Sequence, residues 1–491
     1  MASIGNWWRV VQREKDRQSE LESDFEYRQR WITIRLVYLS GFLMFLSFGV
    51  VTTGLWPYLQ DMDPTVGKPF LSVVFAAPPA GQLIFSPLIG WCSNRLSSIR
   101  VPFVILTALF VFANALYSVV ELFPLPHRKY VLLCSRFVFG VSTSINTLSR
   151  AYISTATKLS ERTGAISMSS LAQTFGLAIG PIIQAGLSAI GKDGLMWYGL
   201  RINMYTMAGW ICAIGGVVYI IMLNPSCFVH RTIAAQEAMK TIGSSKATDT
   251  YERLKMFSIW TVMIGYSVLM FFYVSVQTAL SPISLDQFGW SHEESLYYLG
   301  ILITGGTLCS CAVFLLLPQL CKRFQEHNVF LFFAILPLFI SQVVMIPMGS
   351  KSIPMAGSAS NRTTGGGCPI EQEWCNFIPP INQYQLTVSY TMLCISFSVG
   401  IAISQTILSK LLGTRPQGNW MALYTSIGGV TRIIGPASVV VYVRLGTYWL
   451  FGLGTFISGL MLAWMWYYKS HLRTSKKVTQ TTEMQQMTAT E

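Results

Sequence analysis

Arg432 is the residue in this chain with the most chemistry to offer. It stands thirteen residues into the 26-residue apolar run Asn419–Arg444, near the middle of a segment long enough to cross a membrane. A guanidinium at that depth costs roughly 2.5–3.5 kcal/mol or more unless it is paired or hydrated. No Asp or Glu lies deep in any apolar run, and Glu121 is at the end of one. Two readings stay open. Backbone carbonyls and water satisfy Arg432 in a packed interface, or it faces a central cavity and attracts an anion. Arg136, about two turns into its own run, is a weaker candidate for the same role. Arg35, Arg150 and Arg444 lie close to run ends, where long side chains snorkel to the surface. Gln82, Asn146, Gln173, Gln277 and Gln405 sit at mid-run. They could line such a cavity or simply hydrogen-bond between helices.

Enzyme chemistry finds no footing. There is no phosphate loop, no Gly-x-Ser-x-Gly and no His-Glu-x-x-His. The five histidines (His127, His230, His292, His327 and His471) are expected in loops or tails, which disfavours a metal site or a histidine proton relay in the membrane. Cys309 and Cys311 point to different helix faces and read as packing residues. The sequence therefore predicts no catalytic residues, no metal and no cofactor. Proton-driven transporters generally carry a buried carboxylate; its absence favours uniport, exchange or channel-like conduction.

The elements that must position Arg432 are membrane helices. Charged residues make up 12% of the chain, about half the soluble norm, and hydrophobic ones 52%. Apolar runs fall at Ile32–Thr53, Phe70–Trp91, Val101–Phe123, Tyr130–Tyr152, Ala165–Ile190, Asn203–Leu223, Phe257–Leu280, Ser295–Pro318, Val329–Met348, Tyr384–Leu408, Asn419–Arg444 and Trp449–Tyr468. The division is a cytosolic tail (1–31), six spans (32–223), a basic cytosolic linker (224–256), six more spans (257–468) and a second cytosolic tail (469–491). With both tails cytosolic, 23 of the 35 Lys/Arg fall on that side, seven opposite, and five within the runs. This follows the positive-inside rule. The net charge of +13 is thereby explained as topology. Nucleic-acid binding is disfavoured, since there is no zinc-finger spacing and no aromatic-basic surface motif.

The loop 349–383 is predicted to face the lumen or exterior. It carries the only acceptor sequon, at Asn361, and the pair Cys368 and Cys375, which could close a disulfide ring or remain free thiols. In the linker, Tyr251 and Leu254 form a Tyr-x-x-apolar pattern of the kind sorting adaptors read. The last tail is rich in Thr and Gln and has a disorder-prone composition.

Two Gly-Pro breaks, Gly180-Pro181 after Gly176 and Gly435-Pro436, fall in the fifth run of each six-span half. Such matched interruptions point to a transporter built from repeats, and both are read as part of the moving gate. Aligning the prolines sets Leu177 opposite Arg432. The string Gly90-Trp-Cys-Ser-Asn94-Arg95-Leu-Ser-Ser-Ile-Arg100 resembles the cytosolic signature of the major facilitator superfamily, with Asn94 where that signature has an acid. Arg136-Phe-Val-Phe-Gly140 resembles its Arg-x-x-x-Gly element. Arg100 is expected to pair with Glu161 of the next cytosolic loop.

Further strings resemble the endolysosomal domain-containing protein 8 group of that superfamily, which is associated with a neuronal ceroid lipofuscinosis. They include Trp56-Pro-Tyr-Leu-Gln60, Glu161-Arg-Thr163, Ile202-Asn-Met-Tyr-Thr206, Cys368-x-Ile-Glu-Gln-x-Trp-Cys375, Arg415-Pro-Gln-Gly418 and Arg432-Ile-x-Gly-Pro436. That resemblance implies a late endosomal or lysosomal membrane, a glycosylated luminal loop and conduction or export of an anion. The plasma membrane is the alternative location, because the first tail lacks the acidic dileucine signal expected there.

The expectation is an all-α membrane protein of twelve spans in the major facilitator fold, two six-helix bundles related by a pseudo-twofold axis. Its partners are the lipid bilayer, a small anionic solute such as chloride or an organic anion, and sorting adaptors. An anion channel and a non-transporting receptor or scaffold are the rival functions.

Overall fold

The computed structural model describes residues 22–63, 68–95, 99–191, 194–197, 200–225, 256–290, 292–348, 367–368, 372–413 and 417–468, with isolated positions between 228 and 236 and at 353. Asn361, Tyr251 and Leu254 lie outside the described residues. Among the described residues twelve long helical segments follow in order: α1 Asp24–Met62, α2 Lys68–Arg95, α3 Arg100–Ser118, α4 Leu125–Ala156, α5 Leu159–Leu187, α6 Thr206–Met222, α7 Met256–Phe288, α8 His292–Arg323, α9 Glu326–Val344, α10 Gln383–Leu412, α11 Gly418–Leu445 and α12 Thr447–Tyr468. Eleven contain a stretch long and apolar enough to cross roughly 30 Å of hydrocarbon; α6 is apolar but only 17 residues long. The ends of α2 and α8, like the start of α1, lie on what we call the tail face. The opposite loop face carries 367–368 and 372–382.

Several elements depart from the pattern of apolar runs. α1 begins eight residues before the expected Ile32, because Ser23 and Glu26 form a reciprocal capping box and a polar turn is held by ion pairs. α4 is interrupted at Thr143–Ser144. α9 contains a π-helical turn, Leu331–Ile335. α7 runs on to Phe288, past the expected end at Leu280, and so carries Asp286, which accepts a hydrogen bond from Tyr442 at 3.2 Å. His127 and His327 belong to first helical turns rather than loops, and His327 is buried.

Each half packs its first helix on its fifth, α1 on α5 and α7 on α11, as a repeat requires. Small residues set these distances. A Cβ at Gly180 would lie 2.6 Å from the carbonyl carbon of Gly49, and one at Gly435 would lie 2.6 Å from Val274. Gly176 likewise lies against the Phe42 carbonyl. The Gly-Pro runs therefore pack the inside of each half. They are not alike: α5 passes Pro181 unbroken, whereas α11 turns 3-10 at Gly435–Ala437 and resumes at Ser438. The halves meet through α2 on α11, α5 on α8 and α10, and α4 on α11.

On the loop face Cys368 and Cys375 are joined as a disulfide. The ring seats Trp374, whose Nε1 donates to the Val443 carbonyl at 3.0 Å and whose indole meets Tyr442 edge-on at 5.3 Å. Ile381 N donates to Gln287 at 2.8 Å, so the loop joins α7 to α11.

Candidate functional site

One face of α11 builds the site, because residues three and four apart on a helix share a side. Gly418, Ala422, Thr425, Gly428, Gly429, Arg432 and Gly435 follow one another up that face. At the tail end, a Cβ on Gly90 would come within 2.5 Å of Ala422 Cβ and 2.6 Å of the Gly418 carbonyl, so α2 and α11 touch backbone to backbone. Asn94 completes the contact. Its Oδ1 accepts from Gly418 N at 2.9 Å and its Nδ2 donates to Asn419 Oδ1 at 2.9 Å.

Above this contact Arg150 crosses from α4. Its Nη1 donates to Thr425 Oγ1 at 2.8 Å, and its guanidinium lies 5.2 Å from the ring centroid of Tyr424. Arg150 is 7% exposed and held between the halves, which corrects its reading as a snorkelling anchor. Ser149, Ser154 and Thr157 around it are also buried, so this end of α4 is walled by protein rather than lipid. Tyr424 stacks on Tyr266 of α7 at 4.0 Å and shares a 2.8 Å hydrogen bond with Ser404 of α10.

Arg432 stands two turns beyond Thr425, roughly 10 Å farther from the tail face. Its Nε donates to the Gly428 carbonyl at 3.1 Å, and the side chain is half-buried. Thr425 touches α4, Gly428 and Gly435 touch α7, and Gly429 faces Leu83 of α2. Arg432 therefore points toward the meeting of the halves. Val430, Ile433 and Ile434, which are exposed, take the bilayer side. Among the described residues no carboxylate is paired with Arg150 or Arg432.

A second set of contacts seals the tail face. Arg162 Nη1 donates to the Ser409 carbonyl at 3.3 Å, and Thr163 donates to Glu326 at 2.8 Å while Lys410 pairs with the same carboxylate. Beside them Arg30 is wholly buried. It bonds Glu22 at 2.7 and 3.0 Å, Glu161 at 2.9 Å and the Ala156 carbonyl at 2.9 Å. The expected pairing of Arg100 with Glu161 is thus overturned. The early start of α1 brings Arg30 to Glu161, and Arg100 donates to the Leu223 carbonyl at 2.6 Å. Arg95 lies over Trp91, 4.7 Å from its centroid.

The remaining candidates separate. Gln82 donates to the Thr143 carbonyl at 3.1 Å, where α4 is interrupted, and Asn146 is buried nearby with no partner for its Oδ1. Gln405 is buried one residue past Ser404. Gln277 is exposed on α7, on the side that carries Met270 and Val274. Gln173 packs over Gly41 of α1, inside the first half. Arg136 is also inside that half, 4.5 Å from the Tyr117 centroid and 5.4 Å from that of Phe139. Arg150, Tyr266, Tyr424 and Thr425 were not among the candidates; the Ser/Thr-rich end of α4 was the signal that it avoids lipid.

Comparison with known proteins agrees with this architecture. Residues 37–360 match the Major Facilitator Superfamily. Major facilitator superfamily domain-containing protein 8 of Xenopus laevis is 32% identical over 463 residues, covering 88% of this chain and 90% of its own. Among solved structures, the human organic anion transporter MFSD10 (TETRAN) superposes with a TM-score of 0.61 at 14% identity, over 89% of this chain and 99% of that one. The proton:xylose symporter XylE gives 0.65 at 15% identity, over 90% and 96%.

Proposed function

The chain belongs to the major facilitator superfamily, and we propose that its cargo is a small anion, chloride or organic, drawn to Arg432. Transport across a membrane by alternating access of the two halves is the common activity of this fold; the anionic cargo is our reading. The observation that carries it is two arginines, the buried Arg150 and the half-buried Arg432, one from each half, on an interface where no described carboxylate neutralises them. A fixed positive charge attracts an anion by roughly 4 kcal/mol at 4 Å and an effective dielectric of 20, against which the loss of the ions' hydration is set.

With the tail face taken as cytosolic, the arrangement described is closed to the cytosol. Rocking the halves would part Gly90 from Ala422 and Asn94 from Asn419, and free Arg150 from Thr425. The released guanidinium would then face the same space as Arg432, handing an anion from one arginine to the other. A late endosomal or lysosomal membrane, with Asn361 glycosylated on the luminal side, is part of the same proposal, and the disulfide on the loop face is consistent with an oxidising lumen. Flux of labelled organic anions and of chloride into proteoliposomes tests this reading, with an uncharged sugar as control. Saturable anion uptake with exchange supports it. Current that follows voltage without exchange would favour the channel instead.

A further inference from the structure

The surface of the second half that faces the bilayer holds a groove of about 430 Å³ between α8 and the α9–α10 pair, within the size range of small-molecule sites. Leu316 and Leu320 of α8, Phe333 of α9 and Ile395 of α10 form its walls, and Arg323 and Phe324 close its tail-face end. The groove has a local cause. Gly306 lets α8 close onto Cys394 and Tyr390 of α10, and it is on the tail side of that contact that the groove opens. The π-helical turn Leu331–Ile335 lies at the same level, leaving Phe332 and Phe333 outward and exposed. Such turns insert one residue into an α-helix and recur at functional sites.

The walls are apolar, but the mouth is basic. Lys322 and Arg323 occupy the last turn of α8 and are exposed, with Arg323 lying 5.9 Å from the Phe324 centroid. The nearest acid in sequence, Glu326, is already engaged by Lys410 and Thr163. A hydrocarbon slot ending at Arg323, with Lys322 next to it on the same helix turn and no acid paired with either among the described residues, has the chemistry of one amphiphile. We propose that the groove holds an acyl chain of an anionic glycerophospholipid from the tail-side leaflet, its phosphate resting on Arg323 and Lys322. The site lies beside Glu326, so an occupant braces the α8–α9 turn that receives Thr163 from the other half.

The test uses the full chain purified from membranes of phosphatidylcholine with and without phosphatidylserine. Native mass spectrometry reads the lipid retained. Phosphatidylserine is expected to be retained in preference. Lys322→Gln with Arg323→Gln lowers that retention by roughly fivefold per charge removed. Leu316→Trp, which fills the slot without touching the charges, lowers retention of either lipid in a chain of unchanged thermal stability. Equal retention of the two lipids by wild type, or retention unchanged in both variants, overturns the proposal. So does a dimer that Leu316→Trp splits, because the slot would then hold a second copy.

Discussion

Tyr266 and Tyr424 stack with centroids 4.0 Å apart and planes 19° from parallel, and the guanidinium of Arg150 from the other half rests over the second ring. This joint seals the tail face with a cation on an aromatic surface rather than with an ion pair. Contacts of that kind contribute about 0.5–2 kcal/mol. They can therefore be parted thermally without stranding a buried carboxylate.

Thr425→Val tests the joint while leaving both arginines in place. Loss of one hydrogen bond of about 1 kcal/mol shifts the balance roughly fivefold toward the arrangement open on the tail face. Cys92, half-buried at the end of α2, reports this through faster labelling by an impermeant maleimide applied to that face. Unchanged labelling would mean that Arg150 and Thr425 do not hold the seal.

Asn94 stands where the superfamily signature has an acid, yet it makes both contacts the seal needs. Asn94→Ala removes them and should also speed Cys92 labelling. Asn94→Asp keeps the acceptor for Gly418 N at the start of α11, where negative charge is favoured by about 0.3–1 kcal/mol. Labelling in that variant is expected at or below the wild-type rate. A rate for Asp as high as for Ala would contradict the assignment.

How far the sequence carried depended on the range of the physics involved. Eleven long apolar helices and a shorter twelfth, the depth of Arg432 and the disulfide candidates rest on hydropathy and local spacing, and these were legible. The partner of Glu161 was not, since Arg30 lies 131 positions away and reaches it only because a capping box extends α1 past its apolar run. Arg150 was misread for a related reason. Proximity to a run's end suggests snorkelling only where lipid surrounds the helix, and here Tyr424 and Thr425 surround it. The Gly-Pro pair could be placed in the fifth helix of each half from sequence, but its local structure could not: one helix passes its proline unbroken and the other turns 3-10 there.

Arg30→Met should be among the most damaging single changes on the tail face. It removes the cation that Glu22 and Glu161 share, leaving Glu22 only Lys158 at 3.6 Å; breaking a fully buried pair costs about 3–5 kcal/mol, an upper bound for this partly exposed cluster. A large fall in thermal stability in detergent is expected, with partial recovery when Glu161→Gln is added. No recovery would show that the loss comes from packing alone.

The disulfide anchors Trp374 across α7 and α11. Cys368→Ser with Cys375→Ser opens a ring of short span, worth about 2–3 kcal/mol in chain entropy. Thermal stability should drop in the wild type on reduction, and the double variant should be insensitive to reductant. A reductant effect that persists in the double variant would place the sensitivity at another cysteine.

The central claim is that an anion passes Arg432. Matched proteoliposomes bearing wild type, Arg432→Gln or Arg432→Lys, with equal protein and orientation, measure it through initial anion uptake. The account predicts that Gln lowers uptake at least tenfold, equivalent to about 1.4 kcal/mol, while Lys retains a substantial part. Anion uptake in Arg432→Gln equal to wild type would remove this residue from the pathway and contradict the account.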